Sequence, residues 1–336
     1  MKGTLAISPG LEEVRPLCLA AGVFDGVHRG HRAVIQAARR EAERIGGVCW
    51  VLTFDQHPRR VVGGGASPPL LTNWERKMAL FRALGVEGCF LLRFTPSLAA
   101  LTPIAFLQRL QKTFPHWRMI SVGADWRFGR QRKGDVALLR RFGARFGLRV
   151  EVIPPVRYRG ETISSTRIRE ALRRGAVRSA AAMLGRPFVL TGRVIRGAGV
   201  GRRLGFPTAN LWVEEGGLLG EGVYAVRVQW GRARARPAVM NVGRRPTVAP
   251  PGSPPVVEIH VPGFRGRLYG RRLEVEVIRR LRSERRFPNP ESLRRQIERD
   301  CQAALRLLTI RRRDFPWSFP LDVASGNRIG RGWRVS

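Results

Sequence analysis

Two histidines three residues apart, His28 and His31, end the stretch Gly22-Val-Phe-Asp-Gly-Val-His-Arg-Gly-His31, which leaves the apolar run Pro16–Ala21. The whole chain of 336 residues has only five histidines, so two in one turn with three glycines is a concentration of chemistry. Beyond the turn, Ala33, Val34, Ala37, Ala38 and Ala42 recur at helical spacing until Gly46-Gly47, and Val48–Phe54 then reads as a buried strand. A helix that starts at such a turn offers unpaired N–H groups and partial positive charge, and glycines such as Gly22 and Gly30 let a phosphate approach the backbone. Two imidazoles at i and i+3 can face that ligand together and donate to charge building on a phosphoryl oxygen. The plainer alternative is that one histidine caps the helix while the other is solvated.

Three further constellations carry oxygen or nitrogen ligands in patterned positions. Ser164, Ser165 and Thr166, followed by Arg167 and Arg169, open a helix that closes at Gly175. Hydroxyls, N–H donors and guanidinium forks at one helix start suit phosphate, and basic residues there are unfavourable without an anion. An ordinary N-cap is the alternative. Downstream, a glycine-rich loop from Gly197 through Gly205 leads by way of Pro207 to Thr208 and Asn210, which alternate along an extended segment and face one side. Glu258, in Val256-Val-Glu-Ile-His260, has Val257 and Ile259 on the opposite strand face. Position alone reads it as a solvent-facing strand residue.

The elements that must hold these residues fall into two classes. Up to about Pro187, strand-like and helix-like segments alternate: strands at Cys89–Phe94, Met119–Val122 and Arg149–Ile153, with helices beginning at Thr72-Asn-Trp-Glu75, at Thr102-Pro103 and at Asp135. That alternation predicts an α/β Rossmann-like domain with a parallel sheet, whose ligand sits beyond the carboxyl ends of the strands. After a short helix from Ala176 to Leu184 and a hinge at Gly185-Arg-Pro187, the period changes to two. Five strands, at 189–195, 223–230, 238–242, 256–261 and 273–278, predict a small closed β-barrel, followed by one helix capped at Asn289-Pro290. The expected domains are 1–186 and 187–310, with 311–336 as a mobile tail.

Composition narrows the function classes. The net charge of +36 would suit a nucleic-acid binder, yet all but Lys2, Lys77, Lys112 and Lys133 of the 61 basic residues are arginine, and they are spread through every segment. No basic tract interleaves with aromatics, so specific nucleic-acid binding is not expected, though a basic surface attracts phosphate ligands. Cys18, Cys49, Cys89 and Cys301 lie far apart in apolar segments and read as reduced core residues. With no signal-like N-terminus and no apolar run long enough to span a membrane, the expectation is a cytoplasmic protein.

Over about residues 17–308, four of these motifs stand in the order found in bacterial FAD synthetases, the riboflavin kinase/FMN adenylyltransferase family that this sequence resembles. The histidine turn resembles the His-x-Gly-His signature of nucleotidyltransferases, which implies catalytic roles for His28 and His31 and ATP contacts from Gly22, Asp25 and Gly30. Ile163–Arg169 resembles the family's ATP-phosphate element, and Phe54-Asp-Gln-His-Pro58 and Gly123–Gly129 resemble its flavin segments, implying flavin contacts from His57, Asp125 and Phe128. Phe-Pro-Thr-Ala-Asn210 resembles the kinase signature, with Thr208 and Asn210 as Mg–ATP ligands, Gly205 at ATP and Glu258 as catalytic base. The resemblance implies ATP, riboflavin and FMN as substrates, Mg²⁺ with ATP, and flavin as substrate and product rather than bound redox cofactor. Val261-Pro-Gly-Phe264 lacks the acidic residue usual before the Phe, which leaves open an FMN adenylyltransferase with an impaired kinase domain.

Overall fold

The computed structural model describes residues 4–7, 15–54, 68–197, 199–214, 218–243 and 256–309. His57 and the segment 311–336 lie outside the described residues. The chain divides into two compact units, one reaching Pro68 and resuming from Trp74 to Ile163, the other holding Pro69–Asn73 and the residues from Ser164 onward.

The first unit is built on a six-stranded sheet of β1 (Thr4–Ile7), β2 (Leu17–Ala21), β3 (Val48–Phe54), β4 (Gly88–Leu92), β5 (Trp117–Gly123) and β6 (Arg149–Ile153). Its order is β1-β4-β3-β2-β5-β6, all parallel except β1, an antiparallel edge strand the sequence pattern does not announce. Every residue of β2 and β4 is buried, as parallel strands covered on both faces must be, which is why they read as unbroken apolar runs. The helices are α1 (Arg29–Arg44), α2 (Trp74–Ala83), α3 (Pro96–Ala99), α4 (Pro103–Thr113) and α5 (Val136–Phe146). Helix α1 buries Val34, Ile35, Ala37, Ala38 and Ala42 and packs on β2 and β5. Expected caps form at Thr102, which accepts from Ala105 N–H at 3.2 Å, and at Asp135, which accepts from Leu138 N–H at 2.9 Å. The capping box expected at Thr72–Glu75 does not form. Helix α2 starts two residues past Thr72, whose Oγ1 is buried without a hydrogen-bond partner among the described residues.

In the second unit, β9 (Phe188–Ile195), β10 (Thr208–Val213), β11 (Gly222–Gln229), β12 (Arg236–Gly243), β13 (Val256–His260) and β14 (Arg272–Arg282) close a barrel in the order β10-β13-β12-β11-β14-β9; the two-residue strands β7 (Arg157–Tyr158) and β8 (Glu161–Thr162) form a hairpin in the first unit. Five of the six barrel strands are those the period-two pattern predicts. The sixth, β10, is the extended segment that carries Thr208 and Asn210. Three helices precede or interrupt these strands: α6 (Ser165–Arg173), α7 (Val177–Leu184) and the one-turn α8 (Val200–Arg203). Helix α7 packs on β9 and β14, and Gly220 N–H donates to the Leu172 carbonyl of α6 at 3.0 Å. Both helices therefore belong to the barrel's compact unit. Gly185-Arg-Pro187 is a tight turn inside that unit rather than a hinge, with Gly185 in the left-handed conformation (φ 72°) that a residue with a Cβ rarely adopts. The last helix, α9 (Pro290–Thr309), covers β11 and β12 with Cys301, Ala304 and Leu308 on Val223, Ala225 and Val239. Arg282 grips Asp300 of α9 through Nε and Nη2 at 3.0 and 2.9 Å.

All four cysteines are buried and unbridged. Burial pushes Cys18 and Cys301 up to about 11 and Cys49 and Cys89 up to about 12, so none is a thiolate at neutral pH. Titration with a disulfide reagent should find almost no reactive thiol in the native protein and all four after denaturation. Among the described residues, no helix is long and apolar enough to cross a membrane.

Candidate functional site

In the first unit the chain goes from β2 to β3 on one side and later returns to β5 on the other, so the order of the sheet reverses between β2 and β5. That reversal leaves a crevice at the strands' carboxyl ends, where ligands of open α/β sheets bind. The turn Gly22–His28 leaves β2 and the segment Gly123–Gly129 leaves β5, the two parallel neighbours on either side of that reversal.

The histidine turn is tight and buried. Phe24 (φ 53°), Gly26 (φ 82°) and Val27 (φ 40°) all take positive φ, a costly arrangement for the two that carry side chains. Phe24, Asp25, Val27 and His28 are each at most 5% exposed. His28 is the N-cap of α1, and its Nδ1 accepts from His31 N–H at 3.3 Å. That bond assigns the tautomer: an accepting Nδ1 leaves the ring's proton on Nε2, where it can be donated onward. The two imidazoles stack with centroids 3.5 Å apart and 16° between planes, and Phe24 meets His31 edge-on at 5.2 Å. A Cβ on Gly30 would lie 3.2 Å from His28 Cε1, so a side chain there would press on the stack. The structure gives His28 the capping role, the plainer of the two alternatives that the sequence poses.

In the flavin-like segment the two expected residues stand in different environments. Asp125 is exposed, whereas Phe128 belongs to the sheet's hydrophobic core, packed on Trp126 at 4.5 Å and Phe106 at 5.9 Å. Trp126 is the less buried ring of that pair.

On α6, Ser164 is the N-cap, with Oγ accepting from Arg167 N–H at 3.2 Å, while Ser165, Thr166 and Arg167 form the first turn. Arg169 does not join them at the surface. It is buried, and its Nε donates to the Pro69 carbonyl at 2.8 Å, tying the helix to segment 69–73 of the same unit.

The barrel gathers its predicted residues directly. Asn210 of β10 pairs with Glu258 of β13, and Glu258 pairs in turn with Asn241 of β12, so the three side chains stand in one row across adjacent strands. Thr208 and His260, paired with each other, lie two residues along on the same face. Val257 and Ile259 are buried on the opposite face, inside the barrel. Asn210 is 6% exposed, and its Oδ1 has no hydrogen-bond partner among the described residues. A Cβ on Gly197 would sit 2.0 Å from Asn210 Nδ2, so only glycine lets the loop close over the amide. Gly205 takes φ 84° at the turn before Phe206-Pro207, and the Pro207 carbonyl lies 2.9 Å from His260 Nδ1. A buried, unsatisfied amide oxygen beside a threonine hydroxyl fits Mg²⁺ carried on a nucleotide, since the ion prefers hard oxygens and keeps several non-protein ligands. Among the described residues, no cluster of His, Cys, Asp and Glu offers an alternative metal cage. Phe264, in the stretch that departs from the family pattern, packs on Trp230 at 5.1 Å under Arg236. Sequence reasoning missed Asn241. Its only sign is a polar residue in outward phase within an otherwise apolar strand.

The two units correspond to two known families: FAD synthetase matches residues 11–167 and riboflavin kinase residues 184–308. Curated proteins named bifunctional riboflavin kinase/FMN adenylyltransferase match nearly the full length, at 36% identity in Escherichia coli K12, covering 84% of this chain and 90% of that protein. The chain belongs to the bifunctional riboflavin kinase/FMN adenylyltransferase family. Relatives of the same name in Haemophilus influenzae (34% identity; 85% and 92% covered) and Pseudomonas fluorescens (36%; 88% and 95%) agree. A solved structure from Streptococcus pneumoniae, called a macrolide-efflux protein, shares the architecture with a TM-score of 0.79 at 28% identity over 88% of this chain and 95% of that one. Membership makes the chain a transferase with two catalytic modules.

Proposed function

We propose that this chain makes FMN and then FAD, with the kinase reaction in residues 187–310 and adenylyl transfer in residues 1–186. In the first reaction the ribityl 5′-hydroxyl of riboflavin attacks the γ-phosphorus of ATP, yielding FMN and ADP. Glu258 accepts the hydroxyl proton, because a primary alcohol is a poor nucleophile until that proton has somewhere to go. Thr208 and Asn210 hold Mg–ATP, with Gly205 in the loop beside it; Mg²⁺ neutralises charge on the phosphates when bound. The pairing of Glu258 with Asn210, whose buried Oδ1 has no hydrogen-bond partner among the described residues, is the observation that carries this reading.

In the second reaction an oxygen of the FMN phosphate attacks the α-phosphorus of ATP, FAD forms and pyrophosphate leaves. The nucleophile is already anionic, so alignment and charge stabilisation do the work and no general base is needed. His28, donating through Nε2, and His31 stabilise charge on the α-phosphoryl group, while Gly22, Asp25 and Gly30 belong to the ATP-binding turn. Ser164, Ser165, Thr166 and Arg167 hold the departing phosphates, and His57, Asp125 and Phe128 are assigned to the flavin side. Flavin is substrate and product here, not a resident redox group, and the arginine-rich surface serves phosphate substrates rather than a specific nucleic acid.

Isotope placement tests both halves. Label from γ-³²P-ATP should enter FMN made from riboflavin, and label from α-³²P-ATP should enter FAD made from FMN; absence of either transfer refutes that half. Replacing Gly197 with alanine should push the Asn210 amide out of place. Riboflavin phosphorylation should then fall by about 10- to 100-fold, the usual cost of misaligning a catalytic group, while FAD formation from supplied FMN stays at the wild-type rate.

A further inference from the structure

The histidine turn is held from beneath by a residue to which the sequence patterns give no role. Lys77, on α2, is 6% exposed, and its Nζ donates to the Val23 carbonyl at 3.3 Å. Thr53 Oγ1, at the end of β3, donates to the same carbonyl at 3.1 Å. Val23 immediately precedes the positive-φ residue Phe24, so these two donors grip the chain where its strained path begins. One helical turn beyond Lys77, Phe81 meets Phe24 edge-on at 5.7 Å, and Phe24 meets His31 in the same manner. Helix α2 thus reaches the stacked imidazoles by a polar and an apolar route.

A buried ammonium needs a countercharge, and Asp25, 2% exposed within the same turn, supplies it. Burial pushes the Lys77 ammonium down, whereas the Asp25 carboxylate holds it up; the other group acting on it, Cys89, is a neutral thiol. Composition points the same way. Arginine fills nearly every basic position of this chain, and among the described lysines only Lys77 is buried. A compact point charge on a slim stem fits a site where a planar guanidinium would not.

We propose that Lys77 is a positioning residue for adenylyl transfer, fastening the Val23 carbonyl and balancing Asp25 so that the His28/His31 stack is held where the α-phosphate must arrive. The inference rests on the adenylyltransferase reading of this unit. It is tested on the full chain with FMN and Mg–ATP. If the wild type forms no FAD, that reading has failed before any variant is compared. Given wild-type activity, Lys77→Met should lower kcat for FAD formation by about 10- to 100-fold, with KM for ATP and FMN changing less than about twofold. Riboflavin phosphorylation, carried out elsewhere in the chain, should be unchanged. Lys77→Gln, shorter and uncharged but still a donor, should fall between wild type and Lys77→Met, and it decides the matter should the methionine variant fail to fold. A wild-type kcat in Lys77→Met, or equal losses in Met and Gln variants, would overturn the proposal, the latter marking Lys77 as packing only.

Discussion

His31→Ala should stop FAD formation while FMN accumulates from riboflavin. The His31 ring is one half of a stack with His28 at 3.5 Å, and the His31 backbone N–H donates to His28 Nδ1 and so fixes its tautomer. Alanine keeps that N–H and the helix but removes the second imidazole from the turn. Loss of one preoriented donor to developing charge typically costs about 10²- to 10³-fold in rate, and that is the fall expected for FMN adenylylation. The barrel reaction should continue at its wild-type rate, so a time course started from riboflavin should end at FMN. Equal loss of both activities would contradict the separation of the two sites.

Glu258→Ala should do the reverse. No FMN should form from riboflavin, while FMN supplied directly should still become FAD. Removing a positioned general base typically costs about 10²- to 10⁴-fold. The barrel should survive the change, since Glu258 is only partly buried and the barrel interior is packed by Val257 and Ile259 on its other face. Glu258→Gln should be nearly as inactive, because the amide preserves shape and hydrogen bonding but cannot accept the proton.

Much of this architecture was legible in the residues. The continuous apolar runs of β2 and β4, the caps at Thr102 and Asp135, and the switch from alternating elements to period-two strands all speak through local chemistry. In the barrel, the alternation of Thr208 and Asn210, and of Glu258 between Val257 and Ile259, already assigned faces. What no local pattern reveals is register: only strand pairing sets Glu258 opposite Asn210 and Asn241. Burial without periodicity is equally silent: nothing in the local pattern separates buried Lys77 and Arg169 from the exposed basic residues around them. No local pattern shows that Phe128, in a glycine-rich segment, also packs into the core of the sheet. The helices α6 and α7 pattern with the preceding elements, yet the Gly220–Leu172 hydrogen bond and the packing of α7 on β9 and β14 join them to the barrel.

One chain carries out two successive transfers to a single flavin. The most direct measurement of this is a chromatographic time course of the purified protein with riboflavin, ATP and Mg²⁺. FMN should rise first and FAD follow at its expense. Riboflavin left unchanged, with FAD appearing only when FMN is supplied, would contradict the kinase half; no flavin product from either starting point would contradict the whole.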